Sequence, residues 1–223
     1  MRARLLSILL GLVCATVLVS CGDDSGSSTD SGGSSGENEA ASCEYPSDGS
    51  QPAKDVEPPP GEPAAEGEVD VTISTSAGDV GATLDADAVP CTVNSFLSLA
   101  DQGYFDDTAC HRLTTQGIYV LQCGDPTGSG AGGPGYSFPD ELKGDESYPA
   151  GTLAMANAGP DTNGSQFFMV YDDTQLPPAY SVFGTIDEAG LEVLRKVAKA
   201  GTSTGSPDGP PKTKVQIQSV AVD

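Results

Sequence analysis

Between Leu153 and Val170 the chain reads LAMANAGPDTNGSQFFMV, two short apolar runs around an uncharged polar middle. The runs Leu153–Met155 and Phe167–Val170 are too short for helices and read as buried strands. The middle, from Asn157 to Gln166, carries Gly159, Pro160 and Gly164, so it turns irregularly instead of continuing either strand. Asn157 and Gln166 each offer a donor and an acceptor on a neutral head. That chemistry suits a peptide backbone and suits neither a phosphate nor a metal. Short strands joined by tight loops also limit the fold, because unpaired strand edges must be closed off or covered.

The flanking sequence extends this pattern. Val69 to Ile73 alternates apolar and polar residues, Ala77 to Asp79 turns, and Val80 to Leu84 returns as a second strand. Pro90 opens a helix whose Val93, Phe96, Leu97 and Ala100 share one face, with Gly103 as its stop. Further strands are predicted over 110–113, 118–123, 152–156, 167–171, 182–186 and 215–222. A second helix is predicted over 187–200. Asp187 and Glu188 at its start and Arg195, Lys196 and Lys199 near its end match the helix dipole, and Leu191, Leu194, Val197 and Ala198 form its buried stripe. Eight short antiparallel strands with exposed edges suggest that residues 69–223 are mainly β and close into an eight-stranded antiparallel β-barrel.

Ahead of that domain the composition changes. Arg2 and Arg4, an apolar run from Leu5 to Val19, and then Ser20-Cys21 read as an export signal over residues 1–20. The run falls short of the roughly 20 residues of a membrane span. Leu18-Val19-Ser20-Cys21 resembles a bacterial lipobox. Cys21 is therefore the expected lipidation site, anchoring an exported protein to the extracytoplasmic face of the cell membrane. Residues 21–68, rich first in Ser, Gly, Asp and Glu and then in Pro, are expected to form a disordered, locally stiffened tether. A net charge of −22 argues against nucleic acid as a partner and against electrostatic adhesion to anionic lipid.

Two words in the opening stretch, Met155-Ala156-Asn157-Ala158-Gly159-Pro160 and Asn163-Gly164-Ser165-Gln166-Phe167-Phe168, resemble the signature of the cyclophilin family of peptidyl-prolyl cis-trans isomerases. Cys110-His111-Arg112-Leu113 is similar to that family's Phe-His-Arg motif, and the resemblance runs through residues 69–223; it implies a cyclophilin-like fold, a closed eight-stranded antiparallel β-barrel capped by two α-helices. It implies a catalytic group of Arg112, Gln166 and Asn157. Arg112 would be the fixed donor, Gln166 its brace or a hold on the substrate backbone, and Asn157 a hold from the other side. Arg112 is also the only Lys or Arg between Lys54 and Lys143. The resemblance further implies a cup for the proline ring built from Tyr119, Val120, Phe168, Leu176 and Tyr180. Gln122, Ala156 and Ala158 would line the groove, with His111 as a hydrogen-bonded neighbour. Gly130 to Gly133 resembles the family's Gly-rich loop beside that groove.

The expected partners are proline-containing segments of exported polypeptides, handled by a monomer without cofactor or metal. A lone His and the absence of zinc-type Cys spacing agree with the last point. An alternative of another class is a barrel that captures proline-containing segments without turning them over. The sequence departs from the family pattern in three places. The stretch from His111 to Gln122 is two residues longer, Tyr119 and Val120 replace Phe and Met, and Tyr180 replaces a His in a chain that contains no Trp. These departures bear on cyclosporin affinity and on rate.

Of six cysteines, Cys14 leaves with the signal and Cys21 is assigned to lipid. Cys43, Cys91, Cys110 and Cys123 form an even set in an exported chain, which predicts two disulfides among three possible connectivities. The expected pairing is Cys91–Cys110 and Cys43–Cys123.

Overall fold

The alternation read at residues 69–84 becomes a hairpin. β1 (Glu68–Thr75) and β2 (Gly78–Asp85) pair antiparallel from Glu68↔Asp85 to Thr75↔Gly78. The structure, a computed structural model, describes residues 42–223. The expected export signal and Cys21 lie outside the described residues. After the hairpin come α1 (Pro90–Asp101), β3 (Thr108–Ala109), β4 (Arg112–Thr114), β5 (Val120–Cys123), β6 (Thr152–Met155) and β7 (Phe167–Val170). β8 (Val182–Ile186), α2 (Glu188–Ala200), β9 (Asp208–Gly209) and β10 (Gln216–Val222) complete the order.

The strands form one antiparallel sheet in the order β3-β10-β1-β2-β8-β6-β7-β5-β4-β9. β3 ends the row on one side and β4 stands next to the other end, yet only Cys110 and His111 separate them along the chain. The sheet therefore curls back until one short segment serves both margins. Ten strands in a curled sheet replace the eight expected in a closed barrel. The strand predicted over 110–113 is interrupted at Cys110-His111, and a loop read as irregular contributes β9.

The curl encloses the main core. Val71, Ile73, Val80 and Leu84 of the hairpin, Phe183 of β8 and Leu113 of β4 are fully buried in it. α1 adds Phe96, whose ring meets Phe167 edge-on at 5.5 Å. α2 adds Leu191, Leu194 and Val197, as its stripe predicts. Asp187 caps α2, its side chain accepting from the Gly190 amide at 2.6 Å. α1 has no side-chain cap of its own. Instead Glu141 reaches in and accepts from the Cys91 and Thr92 amides at 3.0 and 2.7 Å, placing a carboxylate on the positive end of the helix.

The expected tether requires correction over its described part. Residues 42–67 lie along the domain as a strap and belong to the same folded unit. The strap is pinned by a Cys43–Cys91 disulfide, and the second bridge joins Cys110 to Cys123, so both expected pairings are overturned. Tyr45 donates to the Cys91 carbonyl at 2.8 Å and meets the rings of Tyr136 and Phe138 edge-on, each at 5.6 Å. Lys54 donates to the Gly103 carbonyl at 3.4 Å and also to the Asp106 carbonyl. Local composition favoured disorder, but these anchors act through residues 46 to 93 positions away, which composition does not register.

Candidate active site

Cross-strand register builds the site. Arg112 of β4 stands opposite Gln122 of β5, Gln122 opposite Phe168 of β7, Phe168 opposite Ala154 of β6, and Ala154 opposite Val182 of β8. Directly opposed residues share a face, so one row carries a cation, an amide and an aromatic ring across the outside of the curled sheet. Phe168, Val120, Ala154, Val170 and Tyr148 form an apolar cluster separate from the main core, with Ala156, Leu176 and Tyr180 packed against it.

Three rings shape this cup. Phe168 meets Tyr180 edge-on at 5.5 Å, and Tyr148 lies 6.2 Å from Phe168 and 6.1 Å from Tyr180. Tyr148 was not legible from the sequence, because it lies in a loop with no periodicity. Its hydroxyl donates to the Pro177 and Tyr180 carbonyls, each at 3.2 Å, and accepts from the Tyr180 amide at 3.1 Å. Tyr148 thus fixes the 177–180 turn over the cup. Tyr119 does not join this cluster. It packs against the main core, edge-on to Tyr171 at 5.9 Å, one residue out of phase with Val120.

A polar relay borders the cup. Arg112 Nη1 donates to Gln122 Oε1 at 3.3 Å, and Gln122 Nε2 donates to Gln166 Oε1 at 2.9 Å. Gln166 Nε2 donates to the Gly130 and Gly132 carbonyls, both at 3.0 Å. Gln166 therefore braces Arg112 through Gln122. The Gly-rich loop at the far end is organised by Asp125, which is fully buried. Burial alone would raise the Asp125 carboxyl. Hydrogen bonds from the Thr127 hydroxyl and from the Gly132, Thr127 and Gly130 amides outweigh it and hold the group below the usual carboxylate range. Gly132 must be glycine here, since a Cβ would collide with Asp125 Oδ1.

Asp208 is a second residue that sequence reading missed. Its carboxylate takes a two-pronged hold on Arg112, from Nε at 2.9 Å and from Nη2 at 2.7 Å. Hydrogen bonding to Asp208 raises the Arg112 pKa further, and the same bond lowers that of Asp208. With the two side chains 39% and 54% exposed, the pair adds little to stability. Its effect is to fix the plane of the guanidinium. Two features bring Asp208 there. β9 pairs with β4 at Leu113↔Gly209 and Thr114↔Asp208, and the Thr115 amide, in the lengthened turn after β4, donates to the Pro207 carbonyl at 2.8 Å. The two-residue extension noted in the sequence is thus tied to the loop that positions Arg112. Asp208→Ala is expected to lower kcat by about tenfold, the cost of a misaligned donor, while the exposed pair's loss shifts Tm by less than about 3 °C. Kinetics of the activity that the resemblance implies, measured beside a thermal melt, would show it, and unchanged kcat would remove Asp208 from the positioning role.

Asn157 is placed beside the cup but its side chain is already engaged. Nδ2 donates to the Ala179 carbonyl at 2.8 Å and to Asp140 Oδ1 at 3.3 Å, so the amide holds the 177–180 turn. His111 is half-buried, and neither ring nitrogen has a partner among the described residues, contrary to the hydrogen-bonded neighbour expected. Burial, the larger influence, lowers its pKa and favours the neutral ring. Ala158 lies with Ala156, Gln122 and Gln166 along a groove extending past the relay. Among the described residues no group of three or more His, Cys, Asp or Glu is arranged to hold a metal ion.

A curled antiparallel sheet with two helices thus carries an apolar cup beside a braced arginine and an amide-lined groove, the fold and site of one family. The chain belongs to the cyclophilin-type peptidyl-prolyl cis-trans isomerase family: residues 69–222 match the model of the cyclophilin type peptidyl-prolyl cis-trans isomerase/CLD family. It is 49% identical over 204 residues to a probable peptidyl-prolyl cis-trans isomerase B of Mycobacterium leprae, covering 83% of this chain and 68% of the relative. The corresponding protein of Mycobacterium tuberculosis is 50% identical, with coverage of 83% and 65%. The chain thus spans about two thirds of the length of these relatives. Among solved structures, a Cryptosporidium parvum cyclophilin type peptidyl-prolyl cis-trans isomerase superposes with a TM-score of 0.62 at 31% identity, over 70% of this chain and 98% of that one. A second structure of it, in the presence of the dipeptide Ala-Pro, gives 0.61 at 32% identity, over 69% and 98%.

Proposed function

We propose that this chain accelerates rotation about X–Pro bonds in exported polypeptides, with Arg112 as the donor that favours the twisted amide. The reaction makes and breaks no bond. Its barrier is the partial double-bond character of the amide, about 18–20 kcal/mol, and uncatalysed exchange takes tens to hundreds of seconds. Twisting the amide returns its lone pair to nitrogen, which becomes pyramidal and basic. A donor fixed near that nitrogen stabilises the twisted form more than the planar one, which is what lowers a barrier. An acceleration of about 10⁵-fold asks for about 7 kcal/mol of such differential binding.

Each part of the site has a role in that scheme. The cup of Val120, Phe168, Tyr148, Leu176 and Tyr180 holds the proline ring while the preceding carbonyl swings. Gln122, Gln166 and Asp208 keep the guanidinium from following the substrate. No step moves a proton, so a neutral, buried His111 is compatible with the reaction. The Ala-Pro dipeptide studied with the Cryptosporidium relative supports proline-containing peptides as the substrate class. The observation that carries the reading is the single row Arg112–Gln122–Phe168, which sets donor and cup side by side. That brace also favours turnover over simple capture of proline segments.

The cellular setting is part of the proposal. The lipobox-like Leu18–Cys21 supports anchoring at Cys21 on the extracytoplasmic face of the cell membrane, and two disulfides fit an oxidising compartment. Closure of the curled sheet into a full barrel around the main core is the arrangement we assign to the margins joined at Cys110-His111. Exchange NMR on a short X–Pro peptide with catalytic amounts of protein tests the activity. Exchange accelerated well above the uncatalysed rate supports it, and saturable binding without acceleration would leave only a proline-binding module.

A further inference from the structure

The strap reaches the relay through one intervening layer, residues 133–138. This segment runs antiparallel to the strap, with Ser47 opposite Tyr136. The Ser137 amide donates to the Pro46 carbonyl at 3.1 Å, the Asp48 amide to the Gly135 carbonyl at 3.2 Å, and the Ala53 amide to the Gly133 carbonyl at 2.9 Å. On its other side the same segment pairs with the loop that carries Gln166. The Phe138 amide donates to the Asn163 carbonyl at 3.0 Å, and the Asn163 amide to the Phe138 carbonyl at 3.2 Å. Gly164 lies so close to Pro134 that an added Cβ would stand 3.2 Å from Pro134 Cδ. Just ahead of the layer are Gly130 and Gly132, whose carbonyls accept from Gln166 Nε2.

This layer needs support from outside. It begins Gly133-Pro134-Gly135, and Gly135 takes a φ of +82° that other residues rarely adopt. Pro52 of the strap closes over Gly135, where an added Cβ would stand 3.2 Å from Pro52 Cδ. Glycine-rich backbone bonded along one edge alone opens readily. We propose that the strap is a positioning element of the catalytic site. It holds residues 133–138 so that Gln166, and through Gln122 the Arg112 guanidinium, keep their places. The proposal rests on the isomerase reading, because it concerns the donor of that reaction. The strap lies outside the 69–222 stretch that matches the family, so the donor of this chain is aligned in part by a segment beyond the matched domain. Among the described residues no strap side chain joins the apolar cluster of the cup. Release of the strap therefore acts on the rate and spares the hold on the proline ring.

The test uses a full-length chain whose strap is let go by Cys43→Ser, Cys91→Ser and Tyr45→Ala together. Its control carries the same two serines with Tyr45→Phe, which keeps a ring against Tyr136 and Phe138. Exchange NMR on an X–Pro peptide is run well below the Tm of each variant. In the released chain kcat is expected to fall about tenfold with KM within about twofold, as for a misaligned donor. The resonances of the Gln166 side-chain amide and of Gly130–Gly133 should shift, while those of β1, β2 and α2 stay in place. The Tyr45→Phe control should match wild type in all of these. A strap released, seen as rapid protease cleavage within residues 42–67, with kcat and the Gln166 resonance unmoved would overturn the proposal, and so would a rise in KM without a fall in kcat. Where the triple variant fails to fold or keeps its strap seated, Ala53→Pro in the otherwise unaltered chain decides. It deletes the donor to Gly133 and is expected to lower kcat about two- to fivefold, the worth of one hydrogen bond, with the same resonance shifts; no change in either would overturn the strap's role. A wild type that accelerates no peptide would sink the isomerase reading instead, and the Gln166 and Gly130–Gly133 resonances would still decide whether the strap places them.

Discussion

Replacing Arg112 by alanine is expected to lower kcat/KM on an X–Pro peptide by about 10²–10³-fold, the usual cost of removing one preorganised donor from a charge-developing centre. The loss should fall on kcat, since the cup of Phe168, Tyr148 and Tyr180 still holds the proline ring. Arg112→Lys keeps the charge and loses the fork that Asp208 grips through Nε and Nη2. It is therefore expected to recover little of the rate. The melting temperature should barely move in either variant, because the ion pair is exposed at both ends. Exchange NMR on wild type and both variants makes the comparison. Activity of Arg112→Ala within threefold of wild type would mean that the twisted nitrogen meets a different donor.

Removing the Cys43–Cys91 bridge carries the largest expected stability effect. The cysteines are 48 residues apart, and closing a loop of that length restricts the unfolded chain by about 4 kcal/mol in the chain-entropy model. For a protein of this size that corresponds to a fall in Tm of about 8–16 °C. A Cys43→Ser, Cys91→Ser double variant, melted beside the oxidised wild type, reads it directly. A shift below about 2 °C would mean that Tyr45 and the main-chain bonds to residues 133–137 hold the strap unaided. The Cys110–Cys123 bridge closes a much shorter loop of 13 residues and is expected to contribute less, about 3 kcal/mol. It ties the segment leading into Arg112 to the end of β5, so its removal should be felt in kcat as well as in stability.

Much of this cyclophilin-type isomerase is legible in its sequence, for identifiable reasons. Phe167–Val170 and Leu153–Met155 announce strands because both faces of the sheet are apolar there, one towards the main core and one towards the cup. α2 announces itself through periodicity and a dipole-matched charge order. Arg112 and Gln166 stand out because they sit in words whose neighbours are equally constrained. Asp208 does not, since one acid in a Gly- and Pro-rich loop has no pattern to break, and its partner lies 96 residues away. The strap was hidden for a related reason. Its order comes from a disulfide and from two aromatic neighbours in the domain, while its own composition resembles a linker. Tyr119 was assigned to the cup next to Val120, but adjacent residues near a strand point to opposite faces. The disulfide pairing could not be read from spacing at all, because distance in the fold and distance along the chain are unrelated in a curled sheet.

The position of β10 carries a consequence for how the molecule comes into being. β10 lies between β1 and β3, pairing Val71 with Val222 and Ile217 with Thr108. The first strand of the sheet thus waits for the last to be synthesised. Until then the β1–β2 hairpin presents an unpaired edge through synthesis, the kind of edge that recruits foreign strands. Pairing across about 150 residues is also slow to form. A translating ribosome therefore cannot release this domain piecemeal, and a chain cut before Gln216 keeps a bare edge on β1 that exposes it to aggregation and to proteases. The sheet of this cyclophilin-type isomerase is completed only once Gln216–Val222 has been made.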